Sequence, residues 1–167
     1  MIISSNLCRL SLISLFFLMI LPGCWPLNVL KQEESKPEFI IINVLEPSEY
    51  DDCHIQGSIN VPFDAFESEM KTLSKSNHYV IYCSDYMCMS SGYCAQLLQK
   101  NKFNHVWAYE GGMAEWYQKG YPYQGPAHME YLKNVTEYNP DESEENNGVK
   151  SITAEDLLKK MKEYQQK

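Results

Sequence analysis

Residues 39–44 read Phe39-Ile40-Ile41-Ile42-Asn43-Val44, and a second apolar run of the same kind lies at 78–83. Continuous apolar runs rich in β-branched and aromatic residues are typical of strands that are buried on both faces, as in a parallel sheet. Helical patterns follow these runs at 63–73 and 90–100. Strands that alternate with helices predict an α/β fold, in which helices cover both faces of a parallel sheet.

The charge of the chain limits its possible partners. The 167 residues carry a net charge of −8, and the only arginine is Arg9. This charge argues against nucleic acid as a partner, because its binding depends on neutralising phosphates. Since every other basic residue is a lysine, no guanidinium beyond residue 9 can hold an oxyanion with two parallel hydrogen bonds.

The N-terminus has the pattern of an export signal. Arg9 precedes an apolar run at 10–20, which is shorter than the roughly 20 residues of a membrane span but has the length of a signal-peptide core. The run ends in Leu21-Pro22-Gly23-Cys24, which resembles the lipobox of bacterial lipoproteins. We expect a signal peptide at 1–23 and lipid on Cys24. The mature protein would then lie in the cell envelope, anchored to a bacterial membrane through the lipid alone. It would face the periplasm or the exterior. Plain secretion and an uncleaved anchor are the alternatives.

The remaining chain divides by composition. Residues 24–37 are a charged linker ending in proline, 38–126 hold the α/β pattern, and 127–150 read as an acidic linker without apolar periodicity. A C-terminal helix is predicted at 151–167, where Thr153 and Asp156 resemble a capping box.

Cys83 is the first candidate for chemistry. It ends a predicted strand, and open α/β sheets bind their ligands at the carboxyl ends of their strands. A short loop then leads into a helix that begins near Ser90, whose free N–H groups and dipole would lower the pKa of a nearby thiol from about 8.5. The alternative is a buried cysteine that serves only as a small apolar residue, and position alone leaves both open.

Several motifs between Ile40 and Gln124 resemble a rhodanese (sulfurtransferase) domain in their order and spacing. They are Ile42-Asn43-Val44 with Glu46-Pro47-Ser48-Glu49-Tyr50, His54-Ile55-Gln56-Gly57-Ser58-Ile59-Asn60-Val61-Pro62, Val80-Ile81-Tyr82-Cys83, Tyr109-Glu110-Gly111-Gly112-Met113-Ala114-Glu115-Trp116 and Gly120-Tyr121-Pro122. The resemblance implies a single α/β domain in which Cys83 accepts a sulfane sulfur as a persulfide and passes it to an acceptor. It implies a small sulfur donor, a thiol acceptor and no cofactor. A zinc site is not expected, because the cysteines lack the short paired spacings of such sites.

The loop after Cys83 departs from the family pattern. It has no arginine, and Asp85 adds a negative charge, so thiosulfate is a poor candidate donor. A persulfide, a polysulfide or a low-molecular-weight thiol carrier fits better. The candidate substrate-binding residues are those of the loop: Ser84, Asp85, Tyr86, Met87, Met89 and Ser90.

Cys88 is the second candidate catalytic residue, and its spacing resembles a rhodanese subset with an additional loop cysteine. A tight loop would bring the two cysteines within disulfide reach. Cys88 would then resolve a persulfide or sulfenic acid on Cys83, or form a redox disulfide with it. A loop cysteine turned into the core, or one simply oxidised on export, is the structural alternative. The rival functions are a thiol–disulfide redox protein that uses Cys83 and Cys88, and a catalytically inactive rhodanese module that binds a partner.

The remaining polar candidates favour structural roles. His54 and Asp52 are expected to fix a turn, and Cys94 falls on the apolar face of its predicted helix.

The C-terminal segment raises a question of topology. Rhodanese domains usually begin with a short strand and a helix, and residues 151–158 resemble that opening at the other end of the chain. A circular permutation is our hypothesis, with a truncated second domain or a partner-binding helix as alternatives.

Overall fold

The computed structural model describes residues 36–133 and 148–166. Within them, the main sheet is parallel throughout, with strand order β3-β1-β4-β5-β7. Its strands are β1 (Phe39–Asn43), β3 (Ile59–Asn60), β4 (His78–Tyr82), β5 (Val106–Tyr109) and β7 (Lys150–Ser151). A small antiparallel pair joins β2 (His54–Ile55) to β6 (Tyr123–Gln124).

Helices flank both faces of this sheet. They are α1 (Pro47–Asp52), α2 (Phe63–Glu69), α3 (Ser90–Lys100), α4 (Gly112–Gln118) and α5 (Ala154–Gln165), with 3₁₀ turns at Met70–Thr72 and Glu130–Lys133. The predicted α/β fold with a parallel sheet between helices is confirmed, as is the presence of a C-terminal helix.

The central strands are apolar without interruption because the sheet is covered on both sides. On one face, Ile42 and Ile81 pack in a core with Leu98 of α3, which we call the α3-side core. On the other face, Val80 packs with Trp116 of α4 in what we call the α4-side core. Each strand therefore places successive side chains into opposite cores.

The C-terminal segment forms one edge of the sheet and part of a helix layer. β7 pairs with β5, and the next residue, Ile152, donates its N–H to Ala108 O over 3.0 Å. α5 begins after Thr153, whose Oγ1 accepts the N–H of Asp156 over 3.2 Å. Its Leu157 is buried in the α4-side core.

The predicted acidic linker 127–150 differs from the structure at both ends. Leu132 is fully buried in the α4-side core, and the Asp52 carboxylate accepts the N–H groups of His128 and Met129 over 3.0 and 2.9 Å. Lys150 belongs to β7. Residues 127–133 show no helical or strand periodicity, yet long-range contacts that composition does not reveal attach them to the domain.

The predicted signal peptide 1–23, Cys24 and nearly all of the linker 24–37 lie outside the described residues. In the part of the chain that the structure describes, no helix has the length and apolarity to cross a membrane.

Candidate functional site

Cys83 lies at the carboxyl end of the central strand of the sheet. It directly follows β4, which is hydrogen-bonded to β1 on one side and to β5 on the other. The pairing between β1 and β4 extends to the residue after β1, where Val44 N donates to Tyr82 O over 3.1 Å. The Cys83 side chain is only 1% exposed. The strand-end position expected from the sequence is therefore observed, together with deep burial of the thiol.

Cys83 and Cys88 are joined in a disulfide, with their Cα atoms 6.3 Å apart. This separation is within the usual disulfide range of roughly 4.4–6.8 Å. Cys88 is less buried than Cys83 and packs against the α3-side core. The two cysteines selected from the sequence thus meet in one site.

Asp85 holds the loop between these cysteines in a tight turn. Its Oδ1 accepts the N–H of Met87 over 2.9 Å, and its backbone oxygen accepts the N–H of Cys88 over 3.1 Å. Such a pattern is typical of an aspartate that caps a turn with its own side chain. Asp85, a predicted substrate-binding residue, therefore stabilises the loop itself through these two hydrogen bonds.

The other predicted substrate-binding residues differ in accessibility. Ser84 Oγ lies 3.9 Å from Cys83 Sγ, while Tyr86 and Ser90 are half-buried. Met87 and Met89 are 72% and 77% exposed. The two methionines flank Cys88 and are available for contact with a partner or substrate.

Two aromatic residues that were not predicted extend this exposed apolar surface. Tyr93 of α3 is 58% exposed and Phe63 of α2 is 41% exposed, with ring centroids 5.6 Å apart. Tyr93 N donates to Met89 O in the loop, and Phe63 N donates to Val44 O at the end of β1. Their position in the first turns of two helices next to the loop is the only sequence signal that would have found them. We call Met87, Met89, Tyr93 and Phe63 the apolar rim.

Gly112 is a further residue whose role sequence reasoning missed. At the start of α4, Met113 N donates to Cys83 O over 2.9 Å and Ala114 N donates to Ser84 O over 2.8 Å. Gly112 has φ +59°, and a Cβ there would lie within 2.6–2.7 Å of the backbone from Cys83 to Asp85. Only glycine allows this approach. The sequence signal that could have revealed this role was the pair Gly111-Gly112, which comes shortly after a predicted strand.

The remaining described cysteines are free and buried. Burial, with the nearby charge of Asp52, raises the pKa of Cys53 to about 11, and burial raises the pKa of Cys94 to about 12. Both thiols are protonated near neutral pH and are poor nucleophiles. The prediction that Cys94 is a core residue is confirmed.

His54 and Asp52 hold turns, as predicted. His54 Nδ1 contacts Tyr50 O at 2.7 Å, and its Nε2 contacts Gln124 Oε1 at 3.1 Å across the β2–β6 pair. Asp52 accepts the N–H groups of His128 and Met129 with its carboxylate and that of Ala127 with its backbone oxygen. Both ring nitrogens of His54 are therefore occupied by structural contacts.

The model of the Rhodanese-like domain matches residues 27–119, which is more than half of the chain. The chain is a member of the rhodanese-like domain family. This family includes sulfurtransferases. In this rhodanese-like domain, Cys83 and Cys88 occupy the strand end and the loop that follows it.

Similar proteins are recorded in several bacteria. The chain is 29% identical over 76 residues to the Uncharacterized protein YqhL of Bacillus subtilis, an alignment that spans 46% of this chain and 59% of that protein. The rhodanese-like domain of the Alr3790 protein from Anabaena sp. is 29% identical, covering 52% of this chain and 98% of its own, with a TM-score of 0.47. A rhodanese from E. coli, solved with anions, is 24% identical over 52% of this chain and 98% of its own, with a TM-score of 0.43.

Proposed function

We propose that this rhodanese-like domain is a sulfurtransferase that carries sulfane sulfur as a persulfide on Cys83. The observation that carries the proposal is the placement of Cys83 at the carboxyl end of the central parallel strand, in a loop fastened to the first turn of α4. A Cys83 thiolate attacks the outer sulfur of a donor persulfide, the donor thiolate leaves, and the sulfur remains as Cys83–S–SH. A thiol acceptor then takes it.

The charges around the loop favour some donors over others. Residues 84–99 contain no lysine, arginine or histidine, and Asp85 adds a carboxylate. The loop thus offers no cation to pair with the sulfonate oxygens of thiosulfate. A persulfide, a polysulfide or a low-molecular-weight thiol carrier is the proposed donor class. The acceptor is a thiol.

The proposed location is the cell envelope, with lipid on Cys24. The support is the sequence of residues 9–24 alone, an apolar core that ends in a cysteine of lipobox type. Labelling cells that express the full chain with a radioactive fatty acid tests this. The wild type should carry label and Cys24→Ala none, and equal labelling of both would reject the anchor.

The sulfur-carrier role is tested in a Cys88→Ser variant, because this variant isolates Cys83 from its disulfide partner. After reduction and exposure to glutathione persulfide, its intact mass should increase by one sulfur. The matched control is a double variant that also carries Cys83→Ser, and it should gain none. Absence of added sulfur in Cys88→Ser, with the fold intact by circular dichroism, would reject the proposal.

The disulfide itself favours a second candidate, a thiol–disulfide redox protein that uses Cys83 and Cys88. In that case a mild oxidant such as hydrogen peroxide removes two hydrogens from the reduced wild type, and no variant acquires sulfur from a persulfide. A protein that responds to neither reagent would instead be a catalytically inactive rhodanese module, for which the apolar rim is the natural contact surface.

A further inference from the structure

We propose that Cys88 resolves the persulfide on Cys83, so that the site releases hydrosulfide and closes as the Cys83–Cys88 disulfide. This inference rests on the proposed sulfur-carrier role of Cys83 and specifies where the sulfur goes. The carrier hypothesis alone ends with sulfur passed to an outside thiol. Three features of the site favour an internal acceptor.

The first feature is reach. The loop already places the two sulfur atoms in covalent contact. That loop shape is maintained by the Asp85 hydrogen bonds to Met87 and Cys88 and by the α4 N–H groups that bind the Cys83 and Ser84 carbonyls. A Cys88 thiolate therefore needs no rearrangement of the loop backbone to attack the inner sulfur of a Cys83 persulfide. An oriented internal nucleophile also has a large kinetic advantage over one in solution.

The second feature is burial. The Cys83 side chain is 1% exposed, whereas Cys88 is partly accessible. Because Cys88 is bonded to Cys83 in the structure, it is the thiol closest to Cys83 once the disulfide is reduced.

The third feature is that two N–H donors of the loop are already engaged and that residues 84–99 contain no basic residue. The two donors are the N–H groups of Met87 and Cys88, which are bonded to Asp85. A persulfide anion is stabilised by free donors and positive charge. With these two donors engaged and a carboxylate in the loop, the site favours consumption of the persulfide over its storage.

The Cys88 thiolate attacks Cys83 Sγ, the new Sγ–Sγ bond forms, and the bond to the outer sulfur breaks, so that the outer sulfur leaves with the electron pair as HS⁻. A dithiol reductant then reopens the disulfide and is itself oxidised to a disulfide. In sum, a donor persulfide and a dithiol give the donor thiol, hydrogen sulfide and an oxidised dithiol.

The reductant should attack Cys88 first. Cys88 is the more accessible of the two sulfurs and lies between the exposed methionines of the apolar rim. Attack there releases Cys83 as the next nucleophile. A thioredoxin lacking its resolving cysteine, used as the probe, should form a mixed disulfide that peptide mapping assigns to Cys88. Assignment to Cys83 would overturn this step.

A single-turnover experiment on the full chain tests the resolving role. Wild type, Cys88→Ser and Cys83→Ser are reduced, freed of reductant under anaerobic conditions and mixed with one equivalent of glutathione persulfide. Released sulfide and intact mass are then measured. We expect wild type to release about one equivalent of sulfide above the Cys83→Ser blank and to lose two hydrogens. Cys88→Ser should gain one sulfur and release no sulfide above that blank. Cys94→Ala, a change at a buried thiol of the same core, should behave as wild type.

The outcomes separate this inference from the carrier role. If wild type and Cys88→Ser both retain added sulfur and release no sulfide, the resolving role is wrong and the carrier role stands. If Cys88→Ser gains no sulfur, the carrier role itself fails. Equal release of sulfide by Cys88→Ser would also overturn the resolving role. A Cys88→Ala variant repeats the comparison if Cys88→Ser unfolds.

Discussion

Gly112 shows how a single residue shapes the candidate site from outside the reactive loop. A side chain there would meet the backbone of residues 83–85, which carries Cys83 and begins the loop. The hydrogen bonds from Met113 and Ala114 to this backbone depend on the same close approach. The glycine thus couples the start of α4 to the geometry of the two cysteines.

We expect Gly112→Ala to destabilise the domain by about 2–4 kcal/mol, from a strained φ and a backbone clash. It should also slow sulfur loading of Cys83 in the Cys88→Ser background. Gly120→Ala is the matched control, because Gly120 also has a positive φ, +66°, but has open space at the Cβ position. Gly120→Ala should lower the free energy of unfolding by only about 1 kcal/mol. If urea unfolding shows the same loss of unfolding free energy for Gly112→Ala and Gly120→Ala, the clash at Gly112 is relieved at no cost.

Burial raises the thiol pKa of Cys53 and Cys94, and this predicts that both react slowly. Since burial raises the pKa of Cys53 to about 11 and of Cys94 to about 12, less than about a thousandth of either thiol is ionised at pH 7.5. Iodoacetamide should therefore modify Cys83 and Cys88 in the reduced native protein and leave Cys53 and Cys94 intact. Iodoacetamide should modify Cys53 and Cys94 only above about pH 10 or on unfolding. Peptide mapping checks this, and rapid labelling of Cys94 at pH 7.5 would contradict it.

Among the helices, the predicted C-terminal helix α5 contributes to stability through its buried face. Its Leu157 is fully buried against Trp116 and other residues of the α4-side core. The contact is reinforced at the surface by an ion pair of 2.8 Å between Lys119 and Glu155, which raises the pKa of Lys119 and lowers that of Glu155. Apolar burial dominates, because exposed ion pairs contribute little.

Leu157→Ala should lower the free energy of unfolding by about 2–5 kcal/mol, the usual cost of removing a buried leucine side chain. The control is Lys159→Ala on the exposed side of the same helix, which should change stability by no more than about 0.5 kcal/mol. Urea unfolding followed by circular dichroism measures both. If Leu157→Ala proves as mild as the control, α5 does not contribute to the cooperative unit.

At the scale of the whole molecule, the contacts of the C-terminal segment support the permutation hypothesis. Edge strand β7 and helix α5 supply, from the C-terminal side, the strand and helix with which a rhodanese domain usually opens. The end of α5 also lies next to the start of β1, since the rings of Tyr164 and Phe39 are stacked with centroids 4.9 Å apart. A chain that passes from α5 directly into β1 would need only a short connection.

We therefore expect a rearranged chain, with residues 148–166 joined by a short glycine-serine linker to residues 36–133, to fold as the natural order does. Its midpoint of thermal unfolding should lie within a few degrees of that of the parent. The control is a chain of residues 36–133 alone, which lacks β7 and α5 and should unfold without a cooperative transition. Failure of the rearranged chain to fold, beside a well-folded parent, would reject the permutation hypothesis.

The sequence alone was sufficient for the features that depend on neighbours along the chain. Strands β1 and β4, helix α3 and the strand-end position of Cys83 follow from apolar periodicity, because that pattern depends on which faces of a segment are buried. The core role of Cys94 followed from the same periodicity. The spacing of Cys83 and Cys88 was enough to propose that the two cysteines form a disulfide pair.

Features that join residues distant in sequence follow from tertiary packing. Asp52 holds His128, 76 positions away, and this contact attaches a segment that composition had assigned to a linker. The addition of β7 to the edge of β5 and the closeness of Gly112 to the loop backbone likewise depend on how separate elements pack. Such contacts are set by shape and hydrogen bonding across the fold, and these are not encoded in any local pattern of residues.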